Sequence, residues 1–133
     1  MKKAYLAISY SNRKQFDAEI YGLRTLLNKH DIELLVFVDK YNFKPNEEKQ
    51  MMIKAFEEID SSDFLIAELT TKSIGVGIEI GYAFATKKPI LYLRKQQAEY
   101  STTAAGCASY ALEYDTAESL LEPFGDIIES MAQ

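Results

Sequence analysis

The sequence predicts an α/β protein built on a flavodoxin-like (Rossmann-like), doubly wound sheet of five parallel strands, and three observations carry that prediction. Short apolar runs alternate with amphipathic runs along the whole chain. The apolar runs are continuous, as expected of strands covered on both faces, because a wet face would demand a polar residue at every second position. Pro and Gly fall singly, where elements should end, with no repeat, linker or low-complexity tract.

The elements follow in order. Residues 3–9 read as the first strand and run into the polar cluster Ser9, Tyr10, Ser11, Asn12 and Arg13. Phe16, Ile20, Leu23, Leu26 and Leu27 then recur at helical spacing. Residues 34–38 read as a second strand, 39–45 as a loop, and 47–59 as a helix with Met52, Ile53, Phe56 and Ile59 on its apolar side. Residues 64–69 are the third strand, and 70–77 a loop whose glycines lead into a helix bearing Ile80, Ala83 and Phe84. A fourth strand covers 89–93, a polar loop 95–108, a fifth strand 110–114 and a closing helix 117–131. The loops after strands one, three and four should meet beyond the carboxyl ends of the strands, where doubly wound sheets bind ligands.

Composition narrows the class. At 133 residues and 47% hydrophobic, the chain suffices for one soluble domain, residues 1–133, whose core needs no disulfide or metal. A net charge of -5 offers no basic stripe for a phosphate backbone, which argues against a nucleic-acid partner but not against one small anion held by backbone N–H groups. Cys107 is the only cysteine and has no metal-ligand spacing around it, so a reducing, cytoplasmic setting is expected, with neither metal nor cofactor. No run approaches the roughly 18 apolar residues of a membrane span, and the first residues are too short for a signal peptide. The lone His30, at the end of the first helix, reads as a contact with that helix's C-terminal dipole.

Ser73-Ile74-Gly75-Val76-Gly77-Ile78-Glu79-Ile80-Gly81-Tyr82-Ala83 is the most informative stretch. Glycines ahead of a helix let the backbone approach a ligand, and the helix start supplies free N–H donors. Glu79 is expected in the first turn, where a carboxylate either complements the helix dipole or, held ionised, serves as a nucleophile. Spacing leaves both open. A dinucleotide fingerprint fits poorly, because Gly75, Gly77 and Gly81 have one residue too many before the third glycine and follow the third strand.

This stretch, with the preceding segment Ser62-Asp63-Phe64-Leu65-Ile66-Ala67-Glu68-Leu69-Thr70 and the following Lys88-Pro89-Ile90, resembles the nucleoside 2-deoxyribosyltransferase family. The likeness is greatest to its 2'-deoxynucleoside 5'-monophosphate N-hydrolases. The resemblance covers most of the chain, and Gly-Val-Gly-x-Glu-x-Gly is its specific part. It implies that Glu79 attacks the anomeric carbon to give a covalent glycosyl-enzyme, resolved by water or by a second base. It also implies that the Tyr5 hydroxyl orients that carboxylate and that Gly75 and Gly77 border the substrate. The transferases carry Asp six residues before the nucleophile; Ser73 stands there instead, and a hydroxyl can donate to a 5'-phosphate that a carboxylate would repel. Ser101, with Thr102 beside it, matches a phosphate-binding residue contributed across a subunit interface, which implies a homodimer or higher homo-oligomer.

Two positions depart from the hydrolase pattern. A Gly and an Arg in the loop after the first strand are replaced by Ile8 and Ser11, leaving Ser9, Ser11 and Arg13 as the substrate-binding candidates there. The Asp that serves the leaving base is replaced by Ala55, with Glu58 one helical turn along as a substitute donor. Asp63 reads as structural. Tyr10, Tyr41, Phe43, Met51 and Met52 are candidates for a base-binding wall or, equally, for core. The leading expectation is therefore an N-glycosidase of nucleotide metabolism acting on deoxynucleoside monophosphates, and the second a deoxyribosyltransferase that exchanges bases. The third is a low-turnover nucleotide-binding or TIR-like signalling domain, suggested by Ala7-Ile8-Ser9-Tyr10-Ser11 and Val36-Phe37-Val38-Asp39.

Overall fold

The structure is a computed structural model describing residues 2–132, so the two end residues of the expected 1–133 domain lie outside the described residues. Among the described residues, β1 (Lys2–Ile8), β2 (Ile32–Val36), β3 (Phe64–Glu68), β4 (Ile90–Lys95) and β5 (Tyr110–Tyr114) form one sheet in the order β2-β1-β3-β4-β5. Every pairing is parallel. This is the flavodoxin-like arrangement, with its strand order reversing between β1 and β3. The helices are α1 (Asp17–Lys29), α2 (Phe37–Lys40), α3 (Glu48–Asp60), α4 (Ile74–Ala85), α5 (Thr102–Cys107) and α6 (Ala117–Met131).

Side chains alternate across a strand, and that alternation divides the core in two. Ala4, Leu6 and Ile8 join Ile20, Leu23, Leu27, Leu120, Phe124 and Ile128 under α1 and α6. Tyr5 and Ala7 point to the other face, with Ala55 and Ile59 of α3 and Val76, Ile80 and Ala83 of α4. Both faces are closed over the central strands β1, β3 and β4, whereas β5 at the edge alternates, with Ala111 and Glu113 exposed. Full burial of each large aliphatic side chain contributes about 1.5–3 kcal/mol. Two hydrogen bonds tie the start of β3 and the end of α3 to their neighbours: Asp63 Oδ2 accepts from the Lys3 backbone N–H at 2.8 Å and Lys88 Nζ donates to the Asp60 carbonyl at 3.0 Å.

Three local differences from the sequence reading matter for the site. Phe37 and Val38 do not extend β2 but open the one-turn α2, which brings the Phe37 ring within 5.9 Å of the Tyr5 ring; a short apolar run cannot by itself distinguish a strand end from a buried helical turn. Residues 10–16, expected as loop leading into the first helix, coil into a 3₁₀ helix. The polar segment 95–108 contains α5, where Ser101 Oγ accepts from the Ala104 N–H at 3.1 Å and so caps a six-residue helix in which only Ala104 and Ala105 are strong helix formers. His30 ends α1 with its Nδ1 donating to the Leu26 carbonyl at 3.1 Å, the dipole contact expected of it.

Candidate active site

Tyr5 is wholly buried in β1, and its hydroxyl donates to Glu79 Oε2. The strand's alternation aims the ring at α4, and the Phe37, Tyr41 and Phe43 rings continue from it at centroid spacings of 5.0 to 6.1 Å. Of the five residues considered for a base wall, Tyr41, Phe43 and Met51 pack against this cluster, whereas Tyr10 is 79% exposed and Met52 is not part of it. Phe37 was hidden from the sequence reading, because its signal was that of a strand residue.

Glu79 is not in the first turn of its helix. Ser73 is the N-cap, its Oγ accepting from the Val76 N–H at 3.3 Å, so Gly75 and Gly77 lie inside α4 and Glu79 falls in the second turn. The free N–H groups and the dipole field of a helix start act over about one turn, so they do not hold this carboxylate ionised. Burial governs it instead. Desolvation pushes Glu79 from 4.5 up to about 7, and the Tyr5 hydrogen bond pulls the other way without cancelling that rise. Tyr5, raised by burial and by the facing carboxylate, stays protonated and remains a donor.

Glu58 is held as an anion rather than as a carboxylic acid. It is buried, and burial alone would raise its pKa, but it accepts from Lys3 Nζ at 2.8 Å, Lys40 Nζ at 2.8 Å and the Tyr41 hydroxyl at 2.5 Å, which hold it down at about 2. It is a salt-bridged anion. Ala55, 1% exposed, sits in the Tyr5 cluster and offers no polar group. Arg13 is engaged as well: it donates to both Asp39 oxygens at 2.7 to 3.1 Å and to Asp17 at 2.6 Å, so two carboxylates already match its charge. Ser9 and Ser11 stand together at the end of β1 with their hydroxyls 3.1 Å apart.

A cleft of about 440 Å³ lies between α4 and α5, and Ser73, Gly77 and Gly81 form one side of it. Glu79 and Tyr5 do not line it. At 100° per residue Glu79 projects about 160° away from Gly77 and Gly81, toward β1 and the aromatic cluster. Ser101 and Thr103 stand on the opposite side, their hydroxyls 3.1 Å apart, while Thr102 does not face the cleft. The hydroxyl beside Ser101 is thus that of Thr103, because the helical twist turns the neighbouring Thr102 side chain another way. A Cβ at Gly77 would meet nothing within 4 Å, so the bare backbone there is open to the cleft rather than demanded by packing. Among the described residues no group of three His, Cys, Asp or Glu side chains could hold a metal, and no helix is long and apolar enough to cross a membrane.

Known proteins share this architecture. A CMP N-glycosidase from Clostridium botulinum superposes with a TM-score of 0.71 at 22% identity, over 92% of this chain and 98% of its own. A 2-deoxyribosyltransferase from Bacillus psychrosaccharolyticus gives 0.68 at 13% identity over 90% of each chain. A conserved protein from Enterococcus faecalis gives 0.66 at 18% identity over 96% of this chain and 99% of its own. At these identities the likeness establishes the fold. No curated protein sequence matches the chain significantly. The sequence model of one family, described as nucleoside 2-deoxyribosyltransferase, does match, and it spans residues 4–131. By that match over nearly its whole length, the chain belongs to the nucleoside 2-deoxyribosyltransferase family.

Proposed function

We propose that the protein is an N-glycosidase that releases the base from 2'-deoxynucleoside 5'-monophosphates, with Glu79 as the nucleophile. The observation that carries this reading is the Tyr5–Glu79 pair: a buried phenol fixes one carboxylate oxygen and leaves the other free to attack. In the proposed reaction the ionised Oε1 bonds to C1' of the sugar, the C1'–N bond breaks, and its electron pair leaves with the base. Water then attacks C1', displaces Glu79 and loses a proton. This is the two-step logic of retaining glycosidases, with an oxocarbenium-like transition state at each step. Ser73 supports a phosphate-bearing substrate, and the Clostridium protein is named both for base release and for a nucleoside monophosphate.

Incubating the protein with deoxynucleotides, ribonucleotides and NAD and measuring free base by chromatography tests the reading. Free base from deoxynucleoside monophosphates is expected. A panel that yields none overturns it. Adding a second base to the mixture shows whether water or base resolves the intermediate.

The titration of Glu79 gives a pH prediction. Attack requires the ionised form, so kcat/KM should rise with pH and reach half its plateau near pH 7. Tyr5→Phe removes the bond that lowers the Glu79 pKa, so the limb should move to higher pH and activity below pH 7 should fall most. A limb that stays in place in Tyr5→Phe would assign the titration to another group.

Leaving-group departure gives another. With Ala55 apolar and Glu58 ionised, neither supplies a proton to the base, and such transfer typically contributes 10²- to 10⁴-fold. A 4-nitrophenyl 2-deoxyribose 5-phosphate, whose leaving group needs no proton, should react at least about a hundredfold faster than the nucleotide. Ala55→Asp should narrow that gap by speeding the nucleotide alone. Equal rates for the two substrates in the wild type would place the slow step after base departure.

We also infer a working unit of at least two subunits of this single domain, acting in the cytoplasm. Ile74 at 85%, Ile78 at 47% and Phe84 at 56% exposure leave apolar surface on α4, and Ser101 lies away from its own Glu79. The lone Cys107 supports a reducing compartment.

A further inference from the structure

β3 ends in Glu68, a carboxylate 4% exposed on the sheet face opposite Tyr5. Its Oε1 accepts from the Thr70 backbone N–H at 2.7 Å. Its Oε2 accepts from the Thr70 hydroxyl at 2.8 Å and from the Tyr114 hydroxyl at 2.6 Å. Thr70 Oγ1 in turn accepts from the Lys95 backbone N–H at 3.0 Å, and the Leu69 N–H donates to the Leu93 carbonyl at 2.9 Å. Glu19 of α1 also faces this cluster and is paired with Lys95 Nζ at 3.4 Å. Thr70, the second residue of the β3–α4 loop, is thus fastened to β4 through the Lys95 N–H and, by way of Glu68, to β5 through Tyr114. Three residues later that loop delivers Ser73, the N-cap of α4 and one wall of the cleft.

Glu68 is suited to this task by chemistry. Burial raises the Glu68 pKa, and the hydrogen bonds from Tyr114 and Thr70 oppose that rise; three donors converge on the carboxylate, whereas an amide in its place would turn an NH₂ toward at least one of them. Burying a carboxylate is costly unless hydrogen bonds compensate it, and here three do. Its bonds all go to the loop and to the strands that hold the loop, and they make no contribution to the Tyr5–Glu79 pair on the other face.

We propose that Glu68, acting through Thr70 and Tyr114, is a positioning residue that sets where Ser73 and the start of α4 stand, and thereby sets affinity for the phosphate end of the ligand rather than the rate of bond cleavage. The inference rests on the reading of Ser73 as a phosphate contact. It adds to that reading a residue more than ten positions from Glu79 in sequence and on the far side of the sheet. Its signature is selective. Loosening the fastening weakens a ligand that carries phosphate and leaves one without it unaffected.

The experiment is a calorimetric titration of 2-deoxyribose 5-phosphate, which is common to all candidate substrates, against 2-deoxyribose, on the wild type, Thr70→Val, Thr70→Ser and Tyr114→Phe. Thr70→Val keeps the side-chain shape and removes the hydroxyl that both donates to Glu68 and accepts from Lys95. It should weaken 2-deoxyribose 5-phosphate about tenfold, the effect of losing about one well-placed hydrogen bond. Thr70→Ser restores the hydroxyl and should bind within about twofold of wild type, and Tyr114→Phe should shift affinity in the same direction as Thr70→Val. In turnover assays Thr70→Val and Tyr114→Phe should raise KM for the monophosphate and leave kcat near its wild-type value, while Thr70→Ser should match wild type in both. Unchanged phosphate affinity in Thr70→Val, or equal weakening of the sugar without phosphate, would overturn the proposal. If the wild type binds 2-deoxyribose 5-phosphate selectively and the variants weaken it, yet no base is ever released, the N-glycosidase reading fails and the positioning role stands.

Discussion

Glu79→Gln is expected to lower base release by several orders of magnitude while the protein folds and melts at least as well as the wild type. Gln keeps the shape and can still accept from the Tyr5 hydroxyl, so the local geometry persists. What disappears is the nucleophile, because a neutral amide oxygen does not form the glycosyl ester. The same substitution carries a stability signature that separates chemistry from collapse. In the folded protein Glu79 holds its proton up to about pH 7, whereas an unfolded Glu loses it near 4.5. Below 4.5 both states are protonated and the group is neutral in the balance. As pH rises from 4.5 to 7 the folded state retains a proton that the unfolded state has lost, so stability falls, by at most about 3 kcal/mol in all. Gln does not titrate. The variant should therefore melt higher than wild type at pH 8, and the gap should close toward pH 5. Turnover that survives in Glu79→Gln would end the nucleophile assignment; a variant that melts lower at pH 8 would show that the carboxylate is held by favourable contacts rather than stranded by burial.

Ser73→Asp should reverse the ligand preference. In the wild type, monophosphates are expected to bind better than the corresponding nucleosides by more than about a hundredfold, since each charge-assisted hydrogen bond contributes about 1.5–3 kcal/mol and two are proposed. Asp is as good an N-cap as Ser, and Ser73 already uses its Oγ to accept from Val76, so the variant should keep α4 intact. The added charge complements the helix start but opposes a phosphate held at position 73. Titrating deoxynucleotide and deoxynucleoside against both proteins reads this directly, with sedimentation fixing the oligomer in the same samples. Equal wild-type affinities for the two ligands, or full activity in a monomer, would remove the phosphate contact across subunits and move the assignment toward base exchange between nucleosides.

Much of this protein is legible in its sequence, and the places where it is not have specific causes. The five strands stand within two residues of where the sequence placed them, most clearly β1, β3 and β4, which are covered on both faces and have no polar side to blur the pattern. Phe37 and Val38 misled because burial favours apolar residues in a helical turn as much as in a strand. The glycines at 75 and 77 read as a loop, yet the Ser73 cap starts the helix ahead of them and tolerates their weak propensity. Thr102 was set beside Ser101 by sequence adjacency, and α5 turns it out of the cleft.

What the sequence by itself determined is the architecture, because periodicity and the position of the glycines depend on local rules that operate within a few residues. It brought Tyr5 and Glu79 forward only through a family likeness, because 74 positions separate them. Tertiary structure alone decided their ionisation. Glu79 and Glu58 are the same residue type, each on a helix against the same side of the sheet, yet one is pushed up to about 7 and the other held down at about 2. The difference lies in what meets each carboxylate: a single neutral phenol donor at Glu79, and two lysines with a tyrosine at Glu58. Charge in a protein interior is set by neighbours brought together through folding, from Lys3 in β1 to Lys40 beyond β2, and no local pattern in the chain encodes that company.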